Sequence, residues 1–126
     1  MNRKSLVVST AAFTILTALS ALALDAKYEP IANAMKFAHK APKGEKKVCE
    51  KIVDGSVSED DLKKTLDLYK SMAETEPPKG DAADFKTKVA KLIAATQEVV
   101  DKKPDAAVHY KEAVNCKACH SEHKAD

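Results

Sequence analysis

Phe85-Lys86-Thr87-Lys88-Val89-Ala90-Lys91-Leu92-Ile93-Ala94-Ala95-Thr96-Gln97-Glu98-Val99-Val100 decides the fold class. Phe85, Val89, Leu92, Ile93, Thr96, Val99 and Val100 recur three and four residues apart. That period belongs to an α-helix with one inward stripe. Asp81 or Asp84 opens the helix, which runs to about Lys102, and Pro104 breaks it. Upstream, Glu76-Pro77-Pro78-Lys79-Gly80 is a hard stop and turn. Before it, Ser58 has the chemistry of an N-cap, and Glu59, Asp60 and Asp61 complement the dipole of a first turn. That helix reaches about Thr75 and buries Leu62, Leu66, Tyr69 and Met72 or Ala73.

The rest of the chain follows the same grammar. A first helix is predicted from about Glu29 to Lys40, with Pro30 in its first turn and Ile31, Ala34, Met35, Ala38 and His39 on one face. Pro42 and Gly44 interrupt it. A short helical piece from about Glu45 to Asp54 carries Val48, Cys49, Ile52 and Val53, and Gly55 ends it. A last helix spans about Asp105 to His120, with Ala106, His109, Ala113, Cys116 and His120 on one side. Glycine is scarce, aromatic residues make up 5% of the chain, and no alternating strand pattern occurs. The predicted fold is therefore all-α: an antiparallel four-helix bundle with short connections. In that topology the end of the last helix lies near the start of the first, which brings residues 116–120 toward the face carrying Met35 and His39.

Cys116-Lys117-Ala118-Cys119-His120 is a C-x-x-C-H run, the attachment motif of a c-type haem in exported proteins. Two thiols at this spacing reach the two vinyl groups of one porphyrin. The adjoining imidazole can then serve as an axial iron ligand. A thiol–disulfide C-x-x-C pair normally opens a helix after a strand, and no strand is predicted. A zinc site lacks a second Cys or His pair, with only His123 nearby as a third ligand.

The N-terminus supplies the export signal that this reading requires. Asn2, Arg3 and Lys4 form a positive n-region, and no charge follows from Leu6 to Leu24. Ala21-Leu22-Ala23 is a small-x-small cleavage site, and Leu24-Asp25-Ala26 a second. Residues 1–23 are thus expected to be a secretory signal peptide, with cleavage as late as Ala26 as the alternative. The rival reading is an uncleaved membrane anchor, since the uncharged stretch is nearly long enough to span. Residues 24–126 form one mature domain in the periplasm, with no further segment of membrane-spanning length. Loss of Arg3 and Lys4 from the 21 basic residues balances the 19 acidic ones, and Arg3 is the only arginine. A neutral, arginine-free domain does not fit nucleic-acid binding. An odd cysteine count, three, argues against a disulfide framework and leaves Cys49 over.

Candidates for the sixth iron ligand are Met35 and His39 on the first helix, with Cys49 as an outsider. An open or water-bound position is the fourth alternative. Each has an ordinary counter-reading: Met35 as core filler, His39 as a half-exposed surface imidazole, Cys49 as a small buried hydrophobe. His109 reads as a helix-surface histidine or a contact at the pocket edge. His123, in the tail Ser121-Glu122-His123-Lys124, is expected to be solvated. Lysines 40, 43, 46 and 47 form a cluster that could steer an acidic redox partner.

With Cys116, Cys119 and His120 close to the C-terminus, the chain resembles the class II c-type cytochromes, the cytochrome c′ family and its low-spin relatives. It is also similar to small exported haem proteins with Met-Lys-x-x-His-Lys in the first helix, Pro-Pro-Lys-Gly in a later turn and Asn-Cys-Lys-Ala-Cys-His near the end. Those runs are Met35 to Lys40, Pro77 to Gly80 and Asn115 to His120. The resemblance implies one haem at the end of the fourth helix and either an apolar residue or Met on its distal side; Met35 sits near that place. His39 and Cys49 depart from both patterns. It also implies a homodimer or heterodimer through the first two helices. The expected function is one-electron transfer between periplasmic redox proteins through one covalent haem c, not enzymatic catalysis. The alternative is binding or sensing of nitric oxide or carbon monoxide at an open or displaceable sixth position. A peroxidase would need a distal Arg or His, and Arg is absent from the mature chain.

Overall fold

The computed structural model describes residues 15–125. The chain is all-α, with six helices and no strand among the described residues: α1 (Ile15–Ala38), α2 (Val48–Asp54), α3 (Glu59–Ala73), α4 (Ala82–Val100), α5 (Ala106–Ala113) and α6 (Cys116–His123). The predicted signal segment falls mostly outside the described residues. Among them, no helix is long and apolar enough to cross a membrane.

Local sequence chemistry sets most boundaries. Ser58 caps α3: its side chain accepts from Asp61 N at 3.1 Å, and Glu59, Asp60 and Asp61 fill the first turn. Asp81 does the same for α4, accepting from Asp84 N at 2.7 Å. Gly55 ends α2 with φ of 79°, a left-handed conformation that a Cβ disfavours. The α4 stripe falls inward as predicted: Phe85, Val89, Leu92 and Thr96 are buried, with Ala95 beside them. Thr96 satisfies its buried hydroxyl by donating to the Leu92 carbonyl at 2.6 Å.

Three boundaries differ from the sequence reading. α2 begins at Val48 rather than about Glu45, where the Lys47 N–H donates to the Glu50 carboxylate at 2.8 Å and starts the helix. α1 begins well before Glu29 and holds Pro30 in its interior rather than in its first turn. The predicted last helix is two helices, broken at Val114–Asn115. The Asn115 side chain accepts from Ala118 N at 3.0 Å, and that cap competes with helix continuation and starts α6 afresh. The inward face of α5 is also rotated from the predicted one. Ala106 and Tyr110 are buried, whereas His109 is exposed.

α1 packs on α3, α3 on α4, and α4 on α5. The two turns of α2 lie against α5, α1 and α3, and α6 lies against α4. The last long segment therefore meets α2 and not simply the first helix. The core is built from Ala34, Ala38, Ile52, Leu62, Tyr69, Met72, Phe85, Val89, Leu92, Ala95 and Tyr110. Its small alanines are offset by two fully buried tyrosines, so the centre is partly polar and must be hydrogen-bonded.

Candidate functional site: the C-x-x-C-H helix and the tyrosine–histidine chain

α6 opens with the motif itself. Cys116 is its first residue; Cys119 and His120 follow at i+3 and i+4, so all three lie on neighbouring positions of one helical side. Cys116 is exposed, Cys119 half-buried, and both thiols are free. His120 is exposed, and its imidazole makes no hydrogen bond among the described residues. The cysteines face different neighbours. Burial raises the pKa of the Cys119 thiol, and the charges of Lys88 and Asp84 act on it from α4. Cys116 instead acts on groups of the core side, including Cys49.

His39, one residue past the end of α1, points into a buried polar chain. Its Nε2 lies 2.9 Å from the Tyr69 hydroxyl on α3. That hydroxyl lies 2.8 Å from the Tyr110 hydroxyl on α5. The His39 and Tyr69 rings also stack, with centroids 5.8 Å apart. Burial lowers the pKa of His39 to about 4, reinforced by the charges of His120 and Lys47. The imidazole is therefore neutral at neutral pH, and the two phenols are held protonated chiefly by burial. A neutral chain of this kind can run in either sense. Tyr110 can donate to Tyr69 and Tyr69 to His39, or His39 can donate toward Tyr110.

The influence of His120 on His39, and of Cys116 on Cys49, Tyr69 and Tyr110, puts the motif in electrostatic reach of the end of α1, of α2 and of the tyrosines. Two of the sequence-derived ligand candidates, His39 and Cys49, thus lie within electrostatic reach of the C-x-x-C-H motif. Cys49 is buried on α2, and burial, followed by the Cys116 charge, raises its pKa and keeps it a thiol. Met35 is partly buried and packs against the hydrophobic core.

The donor chemistry fits a covalently attached haem: two free thiols one turn apart, an imidazole beside the second that makes no hydrogen bond among the described residues, and a further imidazole and thiol, His39 and Cys49, within electrostatic reach. Cys116 and His120 sit at the surface, and Cys119 is half-buried. The pit beside Cys119, between Lys88, Lys91, Glu112, Ala113, Asn115 and Ala118, holds about 130 Å³. Small-molecule sites begin near ~300 Å³. Among the described residues, no group of three or more His, Cys, Asp or Glu side chains is disposed to hold a bare metal ion.

His123 corrects the sequence reading most sharply. It is not solvated; it is 4% exposed. Its Nδ1 lies 3.1 Å from the Lys79 carbonyl and its Nε2 2.8 Å from the Asp84 carboxylate. The partners stand more than 35 positions upstream, so no local pattern reveals them. Tyr110 was also missed, although its spacing from Ala106 carries the signal. His109 lies on the surface, with Nδ1 2.6 Å from Glu98 Oε2. In the lysine cluster, Lys46 pairs with Asp54 at 2.5 Å and Lys47 with Glu50 at 3.9 Å. Part of that positive charge is therefore neutralised locally.

No family model, curated protein or solved structure matches this chain.

Proposed function

We propose that the mature chain is a periplasmic monohaem c-type cytochrome of the class II kind, a four-helix bundle that transfers single electrons between redox proteins. Cys116 and Cys119 would form the two thioether links, and His120 would be the proximal axial ligand. The observation that carries this reading is α6 itself, a short helix that presents two free thiols and, in C-x-x-C-H order, an imidazole that makes no hydrogen bond among the described residues. A bound haem supplies a one-electron ferric/ferrous couple. The chain's residues would tune that couple by burial, ligation and hydrogen bonding. In this reading α1, α3, α4 and the broken α5–α6 segment would be the four members of the bundle and α2 a short connector, which the packing of α2 against α5 supports. Cleavage after Ala26 would return Pro30 to a first turn, where its missing N–H costs nothing.

Candidates for the sixth ligand remain His39, Met35 and Cys49. His39 and Cys49 stand within electrostatic reach of the motif, and Met35, on the helix that His39 follows, packs against the core. One observation favours the second reading, an open or displaceable position that binds nitric oxide or carbon monoxide. His39 Nε2 is engaged by Tyr69, so ligation through that atom would require the chain to give up this bond. The deciding experiment is an optical spectrum of the reduced protein with and without carbon monoxide. A split α/β pair that ignores the gas supports electron transfer with a strong sixth ligand. A broad spectrum that shifts on adding the gas contradicts it and supports gas binding.

A further inference from the structure

We infer that His123 is a positioning residue of the attachment helix, clasping α6 to the start of α4 so that Cys119 and His120 are held in one orientation. This rests on the reading of C-x-x-C-H as a haem site. His123 is the one buried residue of α6; Cys116, Lys117, His120, Ser121 and Glu122 are all exposed. A helix with so little apolar contact is not held by burial. It is fastened at its two ends. The Asn115 side chain caps the first turn, and the His123 ring closes the last.

Each ring nitrogen of His123 meets an acceptor, the Lys79 carbonyl at 3.1 Å and the Asp84 carboxylate at 2.8 Å. The Phe85 ring packs edge-on against the imidazole, with centroids 5.4 Å apart. The ring donates to one of these acceptors as a neutral tautomer and to both when each nitrogen carries a proton, and a directed bond with an edge contact fixes a ring better than apolar filling alone. The α3–α4 turn is built to admit it. A Cβ on Gly80 would lie 2.5 Å from the Glu122 carbonyl oxygen and 2.8 Å from His123 Nδ1, so only glycine lets the backbone come this close. The Asp84 backbone N–H donates to the Asp81 cap, and its carboxylate also pairs with Lys88, whose charge in turn acts on Cys119. The clasp and the second thiol thus share one electrostatic neighbourhood. His120 stands one turn before His123, and its orientation follows that of the helix the clasp holds.

The test compares wild type, His123→Phe, which fills the space without the hydrogen bonds, and Asp84→Asn, which retains one acceptor oxygen. Each is taken as the exported mature protein and read by amide hydrogen exchange and by its reduced optical spectrum. In His123→Phe, exchange of the α6 amides should accelerate by about tenfold or more while α3 and α4 keep their protection. The haem bands should gain a fraction in which His120 no longer binds iron. Asp84→Asn should fall between the two on both readouts. If His123→Phe keeps wild-type α6 protection and wild-type bands, or if Asp84→Asn is as impaired as His123→Phe, the clasp is overturned. If the wild-type protein carries no haem, the functional reading fails, and α6 exchange alone then decides whether the clasp exists.

Discussion

The hydroxyls of Tyr69 and Tyr110 meet 2.8 Å apart at the centre of the protein, with both side chains fully buried. The bond joins α3 to α5, and the 2.9 Å contact from Tyr69 to His39 extends it to the end of α1. Tyr69 is the middle link. Tyr69→Phe leaves two buried partners unsatisfied, the Tyr110 hydroxyl and His39 Nε2. Tyr110→Phe leaves Tyr69 still bonded to His39. Urea unfolding should show a loss of about 2–3 kcal/mol for Tyr69→Phe and about 1 kcal/mol for Tyr110→Phe. Equal losses would mean that the chain does not run through Tyr69.

His39 predicts an acid-side loss of stability. Its folded pKa, about 4, lies below the ordinary 6.5 because burial disfavours the charged ring. Between those values the unfolded chain binds more protons, so stability falls as the pH drops from about 6.5 toward 4 and is complete above 6.5. The expected loss is on the order of 2–3 kcal/mol, read from denaturant midpoints across that range. A bond from His39 to iron would hold the folded ring deprotonated still more strongly, so the loss would extend below pH 4 rather than level off there. His109 acts in the opposite sense. Its pKa is raised by the hydrogen bond and charge of Glu98, so its contribution is full below 6.5 and disappears as the pH rises through that raised value. His109→Ala should flatten the alkaline side and leave the acid side unchanged.

Gly80 and Gly55 have almost the same backbone, φ of 81° and 79°, but different surroundings. A Cβ on Gly55 meets nothing within 4 Å, whereas one on Gly80 collides with Glu122 and His123. Gly55→Ala should therefore cost only the left-handed strain, about 1–2 kcal/mol. Gly80→Ala should cost more, and its extra effect should appear as lost protection of α6 amides. Matched losses at the two positions, with α6 unaffected, would contradict the close approach.

How far the fold was legible from sequence depends on the range of each signal. Ser58, Asp81 and Gly55 act within a turn of their own positions; the sequence points to Ser58 and Gly55 directly and leaves the start of α4 between Asp81 and Asp84, of which the structure takes Asp81. The α4 stripe is periodic over five turns and gave its buried face directly. The break before α6 was missed because Asn115 was read as part of a motif on a continuous helix, not as a cap. His123 was read from its polar neighbours as solvated; the acceptors that bury it lie in the α3–α4 turn and on α4, where no local pattern points back to it. His39 and Cys49 were legible as candidates by type and helix face. Their electrostatic link to the motif depends on the long-range packing of α2 against α5.

The central claim, covalent haem on Cys116 and Cys119, is tested most directly by the intact mass of the exported mature protein beside a Cys116→Ala/Cys119→Ala variant. The account predicts a coloured wild-type protein one haem heavier than its mature polypeptide, with the colour retained after denaturation, and a colourless variant at the bare polypeptide mass. A wild-type protein that is colourless at the bare polypeptide mass, when produced where haem attachment operates, would contradict it.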